Sequence, residues 1–202
     1  MKRRMKKGDD TLEPDSCEDD RFLSDEWLSE HGALIDITVD ATSWRTSLID
    51  DLKNRGPVML DYVAARLSLD PQMISLLLCN DEDMRRMNNL HRGFDKATNV
   101  LSFPAGDDLQ RADNMLADEI TIGDIAIAGE TVMCEASKAG IAVRDHVLHL
   151  FTHGVLHLLG YGHADDTAAA EMEGLEIELL AQMKIANPYC VSNLAVGTRE
   201  GG

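Results

Sequence analysis

The run Leu34-Ile-Asp-Ile-Thr-Val39 alternates apolar with polar positions and is rich in β-branched residues. It predicts a strand with one covered face, at the start of the folded domain. Ser43 to about Asn54 and Val58 to Leu67 carry helical spacing. Gly56-Pro57 between them predicts a break and a proline at the start of a second helix. Met73 to Cys79 is an apolar run of strand length, and Asn80 and Asp81 are suitable caps for a helix over Glu82 to about His91. Asn99 to Phe103, stopped by Pro104, and Ile120 to Ala128 predict two further strands on either side of a polar loop, Ala105 to Asp118.

Helical spacing then dominates through Glu130–Ala139, Arg144–Leu159 and Ala164 to about Ile185, with Gly140 and Gly160 as stop signals. Strands alternate with helices early and helices close the chain. The expected class is α/β (α+β): a small mixed four-stranded sheet covered by several helices.

Residues 1–31 run from a basic cluster into an acidic stretch without apolar periodicity, the pattern of a disordered extension. A single domain is expected over 32–190, followed by a flexible tail at 191–202. Gly8-Asp9-Asp10 stands where a secretion signal would turn apolar, and Asp9 to Asp20 is too acidic for a transit peptide. No apolar run reaches the roughly 20 residues of a membrane span. A cytoplasmic protein without membrane contact is therefore expected. Cys17, Cys79, Cys134 and Cys190 are widely spaced and form no CxxC pair, so reduced thiols are expected. The formal net charge of −17 excludes a protein that simply coats nucleic acid, because neutralising phosphates takes clustered Lys and Arg. Any RNA contact has to be local, and the acidity suits solubility or docking to a basic partner.

The segment His153-Gly-Val-Leu-His157-Leu-Leu-Gly160-Tyr-Gly-His163 carries the sharpest chemistry. Two histidines four residues apart on a helix share a face and can offer imidazoles to one ion. A third ligand two turns further along would lie about 12 Å away, so the chain has to reverse. Gly160 permits a left-handed cap, Gly162 adds freedom, and His163 can return to the ion. Three neutral histidines leave one tetrahedral position open, the arrangement of catalytic zinc. One Zn2+ per chain, on a C-terminal helix and the following turn, is expected to activate water for hydrolysis. His149 with His153 is a competing pair, but no glycine turn serves it. His149 or His146 is expected to stand behind a ligand, to face substrate or simply to pack, with packing the leading expectation.

The spacing of His153, His157, Gly160 and His163 matches the metzincin proteases, yet Gly154 stands where their catalytic glutamate would be. The segment instead resembles the HGxLHLxGYDH run of the YbeY family of bacterial metal-dependent endoribonucleases. Asn88 to Pro104 is similar to the family's N-x-x-x-R-G-x-D-K-x-T-x-V-L-S-F-P run, Gly123 to Ile127 to its G-D-I-x-I strand, and Glu171, Glu173 and Glu176 through Pro188-Tyr189 to its acidic helix. The likeness covers roughly Leu34 to Tyr189. It implies a zinc-dependent, single-strand endoribonuclease acting in ribosomal RNA processing and ribosome quality control. The implied partners are RNA, with ribosomal RNA foremost, and the small ribosomal subunit or its proteins. Departures are Gly162 for the aspartate of GYDH, His91 for an aromatic residue, Phe94 for a lysine and Ala97 for a proline.

The catalytic candidates are Arg92, which the resemblance brings near the metal and whose planar fork suits phosphate, and His153. Lys96 and Ser102 join Arg92 as substrate-binding candidates. Asp95 and Asp124 are candidates for a general base or for orienting a histidine, and Asp165 or Asp166 for replacing the missing aspartate beside His163. Two rival readings are a zinc peptidase-like hydrolase with its base elsewhere and a non-enzymatic, zinc-containing ribosome-assembly factor.

Overall fold

The computed structural model describes residues 21–106 and 121–190. The expectations for residues 1–20, for most of the Ala105–Asp118 loop, for Ile120 and for residues 191–202 lie outside them. The described chain runs β1 Phe22–Leu28, β2 Leu34–Asp40, α1 Thr46–Leu67, β3 Met73–Cys79, α2 Asp81–Arg92, β4 Val100–Pro104, β5 Thr121–Ala128, α3 Gly129–Ala139, α4 Val143–Leu158 and α5 Asp166–Gln182.

The sheet has five strands, in the order β1-β2-β3-β5-β4. The centre is parallel (β2, β3, β5), and both edges, β1 and β4, run antiparallel to their neighbours. The class is therefore the mixed α+β expected, with one strand more. The extra strand, β1, falls in the stretch read as a disordered extension, which is corrected for Phe22–Leu28. Six of its seven residues are exposed, and only Trp27 is buried. Backbone pairing with β2 and that single indole hold the edge, so little apolar alternation marks it in the sequence.

A second correction concerns the helices expected on either side of Gly56-Pro57, which are one helix, α1, with Pro57 inside. Proline in a helix interior costs about 3 kcal/mol. Burial of Leu52, Met59, Leu60 and Val63 on the sheet contributes about 1.5–3 kcal/mol for each side chain, and so outweighs it.

The two faces of the sheet are unequal. Ile35, Ile37, Val39, Ile74, Leu76, Leu78, Ile125 and Ile127 point into the main core, shared with α1, α4 and α5. The alternate positions form a smaller cluster in which Met84 of α2 meets Cys79, Leu101, Ala126 and Ala128. Phe151, the largest fully buried side chain, lies in α4, which spans the main core. No helix of the described residues is long and apolar enough to cross a membrane.

Candidate metal centre

Helix α4 packs over β4 and β5, and approaches them closely at Gly154. A Cβ at Gly154 would stand 3.0 Å from Ile125 Cδ1 and 3.1 Å from Ser102 Oγ. Position 154 therefore faces the sheet, and a glutamate there would be driven into β4 and β5 instead of reaching a ligand beside the histidines. His153 and His157 flank this contact, one turn apart.

Past Leu158 the chain reverses. Gly160 adopts φ +89°, a conformation that side-chain-bearing residues rarely take. Its N–H donates to His157 O at 3.1 Å, and the Tyr161 N–H donates to Leu156 O at 3.0 Å. The turn returns His163 to the helix face. The ligand atoms of His153, His157 and His163 all lie within 4.8 Å of one another.

Hydrogen bonds on the far side of two rings fix which nitrogens face the centre. His157 Nδ1 is 2.9 Å from the Tyr161 carbonyl, so it carries the hydrogen and donates. His153 Nδ1 is 2.6 Å from Glu176 Oε1, a contact to a carboxylate that also calls for an N–H. Both Nε2 atoms then present lone pairs, and they stand 3.0 Å apart. Two such lone pairs repel unless a proton or a cation lies between them, and three imidazole nitrogens are a fitting donor set for zinc. Burial, reinforced by His153 and His163 and only partly opposed by the Tyr161 hydrogen bond, holds the His157 pKa below its ordinary 6.5. His157 therefore remains in the neutral form that binds metal.

Glu176 of α5 is fully buried. Burial alone would raise its pKa, but hydrogen bonds from His149, His153 and Tyr189 outweigh this and hold it at about 2. A buried, ionised carboxylate behind a ligating histidine fixes the ring and makes it a better donor. Burial together with Glu176 itself raises the Tyr189 pKa, so the phenol stays protonated and donates. Orientation of a ligand was expected from Asp124 or Asp165, and the structure assigns those residues elsewhere. Asp124 pairs with Phe103 and lines a cavity with Met87 and His91 on the α2 side of the sheet, opposite the histidines. Asp165 caps α5, accepting from Thr167 N and Ala168 N at 2.9 Å each. The signal for Glu176 was a lone acid in the buried stripe Met172, Leu175, Leu179 and Leu180.

His149 is outside the cluster. Its Nε2 is 3.1 Å from Glu176 Oε2, and His146 Nε2 is 2.9 Å from Glu135 Oε2. His149 thus stands behind a ligand, one of the roles open to it, through the carboxylate it shares with His153, and His146 has a polar partner beyond simple packing. Ser102 lies on the α4 side of β4, against Gly154. Arg92 ends α2 and is exposed, as is Lys96 in the loop that follows. That loop is tied down by buried Asn88, whose Nδ2 donates to Lys96 O at 2.7 Å. Among the described residues no hydrogen bond joins Arg92 or Lys96 to the histidines. Asp95 is engaged by Arg85. Cys79, Cys134 and Cys190 are free thiols, and burial pushes the Cys79 thiol up to about 12. None of them belongs to the cluster.

The profile of the family described as endoribonuclease YbeY matches residues 39–184. Endoribonuclease YbeY of Rhodospirillum rubrum is 49% identical over 122 residues, a match spanning 59% of this chain and 59% of that protein. Endoribonuclease YbeY of Bartonella quintana is 40% identical over 158 residues, 77% of this chain and 96% of that protein. The solution structure of a Thermotoga maritima protein aligns with a TM-score of 0.47 at 19% identity, covering 82% of this chain and 99% of that one. With the profile matching most of its length and relatives at this identity, the chain belongs to the endoribonuclease YbeY family.

Proposed function

We propose that this protein is a zinc-dependent endoribonuclease that cleaves single-stranded RNA, with ribosomal RNA as its substrate during maturation and quality control of the small ribosomal subunit. The observation that carries this reading is the convergence of bare Nε2 atoms from His153 and His157 with His163, in a chain of an endoribonuclease family. His153, His157 and His163 would hold the metal, and Glu176 would keep the His153 ring in place. A bound zinc supplies Lewis acidity and brings the pKa of its water to about 7.

Arg92 would neutralise the charge that builds on the phosphoryl oxygens, as a guanidinium fork does well. Arg85 and Arg86 are committed to Glu82, Asp83 and Asp95, so among the described residues Arg92 and Lys96 are the basic groups this segment offers to phosphate. Ser102, beside Gly154, would give a polar contact. A cytoplasmic setting is part of this reading.

Gly154 counts against the peptidase alternative, because the position of the proteolytic base is filled by the sheet. The deciding experiment is cleavage of a single-stranded ribosomal RNA fragment by zinc-loaded protein beside identically purified His157→Ala. Cleavage by the wild type alone supports the nuclease. Equal cleavage by both, or none by a wild type that holds zinc, refutes it and favours a non-enzymatic assembly factor. The product ends decide the nucleophile: attack by the neighbouring 2′-hydroxyl leaves a cyclic phosphate, and attack by water does not.

A further inference from the structure

The loop after α5 reaches back to the metal centre. The Tyr189 hydroxyl donates to Glu176 Oε2, and its ring stands edge-on to His149 with centroids 5.9 Å apart. His149 Nε2 lies 3.1 Å from the same Oε2. The other oxygen, Oε1, lies 2.6 Å from His153 Nδ1. The two carboxylate oxygens are thus divided: one serves a metal-ligating ring, while the other is held by donors from two different elements, α4 and the loop.

This division has a physical consequence. A carboxylate held only at Oε1 could turn about its last torsion, which is broad in energy. In a fully buried site an acceptor left without a donor also bears the full cost of its lost hydration. Two donors on Oε2 fix the carboxylate plane, satisfy the far oxygen and leave Oε1 aimed at His153. Neither Tyr189 nor His149 belongs to the ligand set.

We propose that Tyr189 and His149 are positioning residues of the metal centre, which lock Glu176 by its far oxygen so that its near oxygen holds His153 in the metal-binding orientation. The inference rests on the reading of the three histidines as a metal site. It ties the segment after α5 to metal affinity, although that segment supplies no ligand.

The test is the zinc dissociation constant of the full chain, measured by competition with a chromophoric chelator, for wild type, Tyr189→Phe, Glu176→Gln and the double variant. Tyr189→Phe removes one oxygen and keeps the ring. It is expected to weaken zinc binding about 5-fold, less than the roughly 10–100-fold expected for losing a group bonded directly to a ligand. In the Glu176→Gln background it should have little further effect, because a residue that acts only through Glu176 cannot act without it. The cobalt(II)-substituted protein should show a shifted visible spectrum in Tyr189→Phe, which a loss of stability alone would not produce.

Unchanged zinc affinity in Tyr189→Phe, or an equal loss in both backgrounds, overturns the positioning role. His149→Phe repeats the test from the other donor, so a folding defect in one variant does not decide the matter. If the wild type itself holds no zinc, the metal-site reading falls and takes this inference with it. If the wild type holds zinc and both variants match it, only this inference falls.

Discussion

The surfaces of α2 and of the α4–α5 pair are both rich in charge, yet their charges behave differently. On α2, Arg85 and Arg86 meet Glu82, Asp83 and Asp95 in water, with both arginine side chains more than a third exposed. Such pairs gain little, about 0–1 kcal/mol, because solvent screens them and the side chains lose freedom. Between α4 and α5 a single carboxylate, Glu176, is fully buried and takes hydrogen bonds from His149, His153 and Tyr189. There the low dielectric strengthens each bond and makes each missing partner costly. One region uses many charges for solubility, and the other uses one charge to hold a ligand.

Breaking the buried side should have by far the larger consequences. His157→Ala, which removes one of three converging nitrogens, is expected to abolish stoichiometric zinc binding and RNA cleavage together, read by metal analysis and a cleavage assay. Retained zinc would mean that the metal sits elsewhere. Glu176→Gln should lower zinc affinity roughly 10–100-fold while leaving the ligands in place. An affinity within twofold of wild type would show that the carboxylate is a structural group only.

Gly154→Ala puts a methyl group 3.0 Å from Ile125 Cδ1. Overpacking of this kind costs about 1–3 kcal/mol, a fall in Tm of roughly 3–10 °C. Unchanged melting would mean that α4 can lift from the sheet at no cost. At the small end, Arg85→Ala should move stability by less than about 0.5 kcal/mol in denaturant unfolding. A large loss would overturn the contrast between the two regions.

Acid should separate the regions as well. Glu176 is held at about 2 in the folded chain against an ordinary 4.5. As pH falls, the unfolded chain takes up that proton first. The stabilisation is complete above about pH 4.5 and is lost between 4.5 and 2. His157, held below 6.5, acts in the same direction: its share is complete above pH 6.5 and declines as pH falls through the lower folded value. Melting of the metal-free protein against pH should thus decline in acid, and Glu176→Gln should flatten the limb between pH 4.5 and 2. Superimposable limbs for wild type and variant would contradict the assigned role of Glu176.

The histidine cluster was legible because its cause is local: a four-residue spacing puts two rings on one helix face, and Gly160 permits the reversal. The class of fold was legible for the same reason, from period-two and period-3.6 stretches. The features that escaped depend on what lies across from a residue. Pro57 marks a break locally, but the sheet beneath α1 keeps the helix whole. β1 is held by its pairing with β2, a long-range bond pattern that polar residues such as Asp25 and Glu26 do not advertise. Asp124 alternates correctly along β5, yet nothing in the strand says which face α4 covers, and one residue of register decides it. Glu176 announces itself only as a misfit in an apolar stripe, and its partners come from α4 and from the loop after α5.

The most direct measurement is X-ray absorption at the zinc edge on protein loaded with one equivalent of the metal. Three imidazole nitrogens and one light oxygen or nitrogen ligand at about 2.0–2.1 Å are expected. A sulfur ligand near about 2.3 Å, or fewer than three imidazoles, would contradict a centre built from His153, His157 and His163.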